Sequence, residues 1–126
     1  MAHESMQACI DACNSCATAC DHCALACVQE TEAQRLARCI ALDLDCSAIC
    51  RTVAGFMSRG SELSADVCAK CADICDLCAE ECERHDMDHC RECAAACRRC
   101  AEECRRMASQ GSANATQRST SAPMHS

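Results

Sequence analysis

An all-α fold, an antiparallel up-down-up-down four-helix bundle with a cysteine-lined core, is what this sequence predicts. Cysteines recur at alternating intervals of four and three residues, the rhythm of a single helix face packed against other helices. Gly and Pro number only three and one among 126 residues, while Ala, Glu and Arg are abundant. Breaks in the rhythm fall near residues 30, 60 and 87, which divides the chain into four helices joined by short turns.

The first helix is expected from about His3 to Gln29. Cys9, Cys13, Cys16, Cys20, Cys23 and Cys27 form one stripe along it, and Met6 extends the register toward the N-terminus. At ~1.5 Å per residue the six thiols span roughly 27 Å, about the length of a small helical domain. Thr31-Glu32-Ala33-Gln34 reads as a capping box for the second helix, which runs to about Ser58. Its stripe is Leu36, Cys39, Asp43, Cys46, Cys50, Val53 and Met57, so a carboxylate stands where a cysteine is due. That buried carboxylate needs a partner, and a metal ion, His85 or an inter-helix arginine each qualifies. A second apolar line, Leu42, Ile49, Val53 and Phe56, gives this helix more apolar surface than a four-helix core needs and suits contact with another subunit.

Arg59-Gly60-Ser61 is the clearest break, with Gly60 suited to a left-handed position and Ser61 or Ser64 available as a cap. The third helix then carries Cys68, Cys71, Cys75, Cys78 and Cys82, followed in register by His85. His85-Asp86-Met87-Asp88-His89 forms the next turn, with Asp86 or Asp88 as cap. The fourth helix carries Cys90, Cys93, Cys97, Cys100 and Cys104, then Met107, and is expected to stop at Gly111. Residues 1–110 thus form the bundle domain, and the polar residues 111–126 are expected to be disordered. Antiparallel order gathers Met6, Cys9, Cys50, Met57, Cys68, Cys104 and Met107 at one end. It gathers Cys27, Cys39, Cys82, His85, His89 and Cys90 at the other.

Composition narrows the chemistry. With 19 cysteines, one Phe and no Trp or Tyr, an ordinary aliphatic and aromatic core cannot be built, and protonated cysteine must supply much of the interior. A formal charge of −7, with arginines interleaved among acids, argues against nucleic acid as a partner. No apolar run approaches the ~20 residues that cross a bilayer. The N-terminal residues show neither a basic n-region nor an apolar h-region, so a cytoplasmic location with reduced thiols is expected.

Packing alone does not account for the stripes, because Leu would bury more apolar surface at each position and resist oxidation. A disulfide framework fits poorly with an odd count and with side chains that run alongside one another. Redox catalysis requires one exposed, acidified thiol, and no Cys-x-x-Cys pair is set apart here. Iron–sulfur ligation uses loops wrapped around a compact cluster rather than long helical ladders. Soft metal ions remain. A Cys₄ zinc site carries two net negative charges, and a file of such sites is costly to bury. Cu(I) accepts bridging thiolates, and at roughly one ion per thiolate the filled core is near neutral. A zinc or mixed-metal thiolate buffer and a copper chaperone donating to a partner are the other readings this pattern admits. His85 and His89 sit where the stripes end and can receive or gate the ion. His22 falls off the stripe, His3 and His125 lie near the chain ends, and Met6, Met57 and Met107 offer either soft thioethers or an apolar plug.

The ladders Cys9–Cys27, Cys68–Cys82 and Cys90–Cys104, the segment Cys39-Ile40-Ala41-Leu42-Asp43-Leu44-Asp45-Cys46 and the turn His85–Cys90 resemble the cytosolic branch of the bacterial copper storage proteins over about residues 5–108. The resemblance implies a homotetramer of four-helix bundles, with no catalytic step. Each bundle would store and detoxify many Cu(I) ions on cysteine thiolates. It further implies that copper passes in at the end bearing His85 and His89, with Asp43 taking part nearby. It leaves any copper donor or acceptor protein unidentified.

Overall fold

The computed structural model describes residues 2–121 and the side chains of residues 6–110. Helices α1 (Ala2–Val28), α2 (Ala37–Ser58), α3 (Ser64–Cys82) and α4 (Asp88–Ser121) follow one another, with a 3-10 turn over Ala33–Leu36 before α2. Each packs against two neighbours, α1 on α2 and α4, and α3 on α2 and α4. This is the antiparallel bundle expected from the spacing, and no strand occurs among the described residues. No helix among them is long and apolar enough to cross a membrane.

The turns are built differently from the sequence reading. Thr31 and Gln34 form no capping box. Instead the chain tightens into the 3-10 turn, where the Arg35 N–H donates to the Glu32 carbonyl at 3.0 Å, and α2 begins without a side-chain cap. A tight turn of this kind occupies backbone groups that a cap would otherwise satisfy. Before α3, Gly60 takes φ 69°. The Ser61 hydroxyl accepts the Leu63 N–H at 3.0 Å, whereas the Ser64 hydroxyl is buried without a partner and caps nothing. At α4 the Met87 carbonyl accepts the N–H groups of Cys90 and Arg91, both at 3.1 Å. Asp88 lies inside the first turn and accepts from the Arg91 guanidinium at 2.7 Å. Gly111 does not stop α4, which continues to Ser121. A single Gly costs a helix only about 1 kcal/mol relative to Ala. The residues that follow include Ala113, Ala115 and Gln117, and Pro123 comes later still. The remainder of the expected tail, 122–126, lies outside the described residues.

Every cysteine is fully buried. Leu36, Val53 and Met57 are buried in the register the α2 stripe predicts, and His22 is exposed. Ala17, Ala72, Ala79 and Ala101, all small, flank the thiols and let the helices approach closely. On the surface, Arg98 joins Asp76 at 3.0 Å to Glu83 at 2.8 Å, and Arg51 meets Asp21 at 2.7 Å. Partly exposed pairs of this kind contribute at most about 1 kcal/mol each, so they set helix register more than stability.

Asp43 is the exceptional core residue, fully buried on α2. Among the described residues, neither an arginine nor His85 partners it. Thiols do: Cys78, Cys93 and Cys82 donate to Oδ1 at 3.2, 3.3 and 3.6 Å, and Cys39 donates to Oδ2 at 3.9 Å. Burial, reinforced by Cys93 and Cys78, pushes its carboxyl up to about 10 from an ordinary 3.8. Between those values the unfolded chain has released this proton and the folded one has kept it. The contribution is therefore complete below about pH 4 and is lost as pH rises toward 10. Asp43→Asn should remove up to about 1.4 kcal/mol per pH unit of that decline. Urea unfolding of reduced, metal-free protein at pH 5 and pH 8 reads the difference, and equal slopes for both proteins would mean that the buried carboxyl is ionised.

Candidate metal centre

Because each helix presents its thiols at i, i+3, i+4 and i+7, four inward faces merge into one file of sulfur atoms. At one end Cys9 meets Cys104 at 3.8 Å, and Cys104 meets Cys13 at 3.7 Å. Cys13 and Cys50 both contact Cys100, at 3.7 and 3.8 Å. Cys50 continues to Cys71 at 3.8 Å and Cys75 at 3.7 Å, and Cys46 lies 3.6 Å from Cys75. Cys16, Cys20 and Cys46 surround Cys97 at 3.6, 3.7 and 3.9 Å. Cys93 joins Cys20 at 3.7 Å to the Asp43 cluster, where Cys39 and Cys82 stand 3.7 Å apart. Cys23, Cys27 and Cys90 form a triangle of 3.8 Å edges. The sequence reading put Cys50 at the Met-bearing end. It lies further inside, because Val53 and Met57 fill the last two turns of α2.

All nineteen cysteines are free thiols. Two sulfurs bound to one ion at about 2.3 Å stand roughly 3.8 Å apart at a tetrahedral angle and about 4.6 Å apart when collinear with it. The observed spacings therefore accept a metal ion after small side-chain adjustments. Sets of four thiols with sulfurs within 4.8 Å of one another recur along the file, among them Cys13/Cys71/Cys100/Cys104, Cys16/Cys46/Cys50/Cys75, Cys16/Cys20/Cys46/Cys97, Cys20/Cys78/Cys93/Cys97 and Cys23/Cys27/Cys39/Cys90. Cys16, Cys20, Cys46 and Cys97 each belong to two of these sets. Independent tetrahedral cages cannot share ligands in this way, whereas ions bridged by common sulfurs can. Burial pushes the Cys27 thiol up to about 11 and the Cys90 thiol higher still. The metal-free interior thus keeps its protons there, and a monovalent cation that replaces a proton leaves the charge unchanged.

The two histidines at the other end are not equivalent. His89 Nε2 lies 3.0 Å from a Glu30 carboxylate oxygen. Its Nδ1 faces the triangle, 3.6 Å from Cys23 and Cys90 and 3.9 Å from Cys27. With Nε2–H donating to Glu30, the Nδ1 lone pair is aimed at three thiols. His85 Nε2 is instead held 2.9 Å from Glu81, which also accepts from Arg38 at 2.6 Å. Burial raises the Glu81 carboxyl, but hydrogen bonds from His85 and Arg38 outweigh it and hold the group below its ordinary range. Beside them an open depression of about 510 Å³ is lined by residues that include Glu30, Glu32, His85 and Asp86.

Glu30 and Glu81 were not singled out from the sequence. Glu81 was legible in principle, since it precedes His85 by four residues on the same helical face. Glu30 was not, because it meets His89 only through the packing of α1 against α4.

The chain has known counterparts. A family profile described as copper storage protein matches residues 2–109. Apo copper storage protein 3 from Bacillus subtilis is 46% identical, covers 81% of this chain and 97% of its own, and superposes with a TM-score of 0.75. Its Cu(I)-bound form is likewise 46% identical, covers 82% and 98%, and gives a TM-score of 0.80. A cytosolic copper storage protein from Streptomyces lividans, described with five coppers, is 38% identical, covers 86% and 95%, and gives 0.83. No curated protein sequence matches significantly. Profile, fold and relatives agree: the chain belongs to the copper storage protein family.

Proposed function

We propose that this protein stores many Cu(I) ions in the cytosol, removing them from harmful reactions, with no catalytic step of its own. The observation that carries the reading is the overlap of the four-thiol sets into one continuous, fully buried file. All nineteen cysteines serve as thiolate ligands, with Asp43 beside them and His85 and His89 at the mouth. Relatives described as Cu(I)-bound and copper-loaded support the choice of ion. Storage is favoured over donation because a donor presents ligands to its partner, and here every thiol is buried. Residues 1–110 do the storing, and 111–126 form a polar tail outside the binding region.

The assembly is a homotetramer in this reading. Leu42, Ile49, Ile74 and Leu77 form a partly exposed apolar strip on α2 and α3, and a second copy would cover it.

Loading exchanges one thiol proton for each Cu(I), so apparent affinity should weaken as pH falls, by about tenfold per unit for a one-for-one exchange. Anaerobic titration of reduced protein against a chromogenic chelator should reach about one Cu(I) per cysteine, with Zn(II) stopping at few ions. Saturation at four or five metals, with zinc competing well, would indicate separate Cys₄ cages and overturn the copper reading. At the mouth, His89→Ala should slow Cu(I) uptake several-fold and more than His85→Ala does, while capacity stays nearly constant. Stopped-flow loading tests this; equal slowing, or a large loss of capacity, would contradict the asymmetric roles.

A further inference from the structure

We propose that Met57 is a copper ligand and that, with Cys68, it closes the file as a thioether–thiolate site for Cu(I) at the end away from the histidines. The inference rests on the copper reading above and adds a ligand to it. Cys68 is fully buried, with Cys104 and Cys9 as its thiol neighbours on one side. Its S–H points at the Met57 thioether, with Sγ and Sδ 3.7 Å apart. A thioether can only accept, so this hydrogen bond has a fixed direction, unlike most thiol–thiol contacts in the file.

The separation is close to the roughly 3.8 Å expected for two sulfurs on one ion at a tetrahedral angle. Met57 is buried to 1% exposure, and its three flexible torsions allow the sulfur to move as the ion requires. An apolar plug would need only a hydrocarbon of this size, and Leu would serve. What Leu could not supply is the lone pair that Cys68 already uses. Met6 and Met107 also line this end, but neither makes a comparable sulfur contact among the described residues. The sulfur-to-sulfur geometry therefore singles out Met57.

Binding is an exchange without redox change. The Cys68 S–H bond breaks and its proton leaves to solvent. The thiolate then binds Cu(I), and Met57 Sδ donates a lone pair to the same ion. Cu⁺ takes the place of H⁺ between the two sulfurs, so the charge of this buried end is conserved. A soft, neutral thioether suits Cu(I) and would be a poor ligand for harder ions.

Selenomethionine-substituted protein, loaded to saturation with Cu(I), tests the site by selenium K-edge absorption, which sees copper only where it is bound to a methionine. A selenium–copper shell is expected in the otherwise unaltered protein. It should vanish in Met57→Leu, a volume-conserving change, with capacity falling by about one ion. Absence of the shell, or its persistence in Met57→Leu, would overturn the assignment while a copper K-edge dominated by sulfur in the same sample left storage intact. If the sample held no copper at all, storage itself would fail along with the site.

Discussion

Nineteen thiols stacked at contact distance inside one bundle are tolerable only while the stack stays close to neutral. An ionised thiolate in this interior would lack water, and each uncompensated buried charge costs several kcal/mol. At the histidine end, burial itself pushes the Cys27 and Cys90 thiols upward and favours their protonated, neutral form. Asp43 follows the same rule, a carboxyl that stays protonated among four thiols. A monovalent soft cation can replace those protons one for one, whereas divalent ions cannot do so along a file of shared sulfurs. The choice of cargo follows from this constraint together with the overlap of the four-thiol sets.

The two ends of the file are specialised by different means. At one, Glu30 and Glu81 fix imidazole rings in contrasting orientations, one with Nδ1 toward the triangle of Cys23, Cys27 and Cys90 and the other held on Glu81, which also accepts from Arg38. A tethered imidazole with a free lone pair is a ready ligand for an arriving ion. At the other end, Met57 and its neighbours replace thiols with thioethers and alkyl groups. Polar, partly exposed nitrogen at one mouth and buried thioether at the other give an otherwise uniform tube a direction.

Much of this was legible in the sequence, for a physical reason. Helical periodicity alone assigns Cys9 through Cys27, Cys68 through Cys82 and Cys90 through Cys104 to single faces, and short connections force those faces together. The inward position of Asp43 followed from the same register. Its thiol partners did not, since they depend on how α3 and α4 pass α2. Local backbone chemistry was the least legible: Thr31 looked like a cap and Gly111 like a stop. A 3-10 turn replaced the cap at the start of α2, and helix-forming residues carried α4 past the glycine. Glu30 lay beyond reach because its partner is 59 residues away along the chain.

The claim that one continuous sulfur file holds the ions, bridged by shared thiolates, is tested most directly by crystallography of the anaerobically loaded protein with anomalous maps at the copper edge. The account predicts a row of copper peaks along the bundle axis, each within bonding distance of two or more sulfurs, with Cys16, Cys46 and Cys97 serving more than one ion. Peaks confined to the histidine end, or to a few isolated four-cysteine cages with no shared ligand, would contradict it.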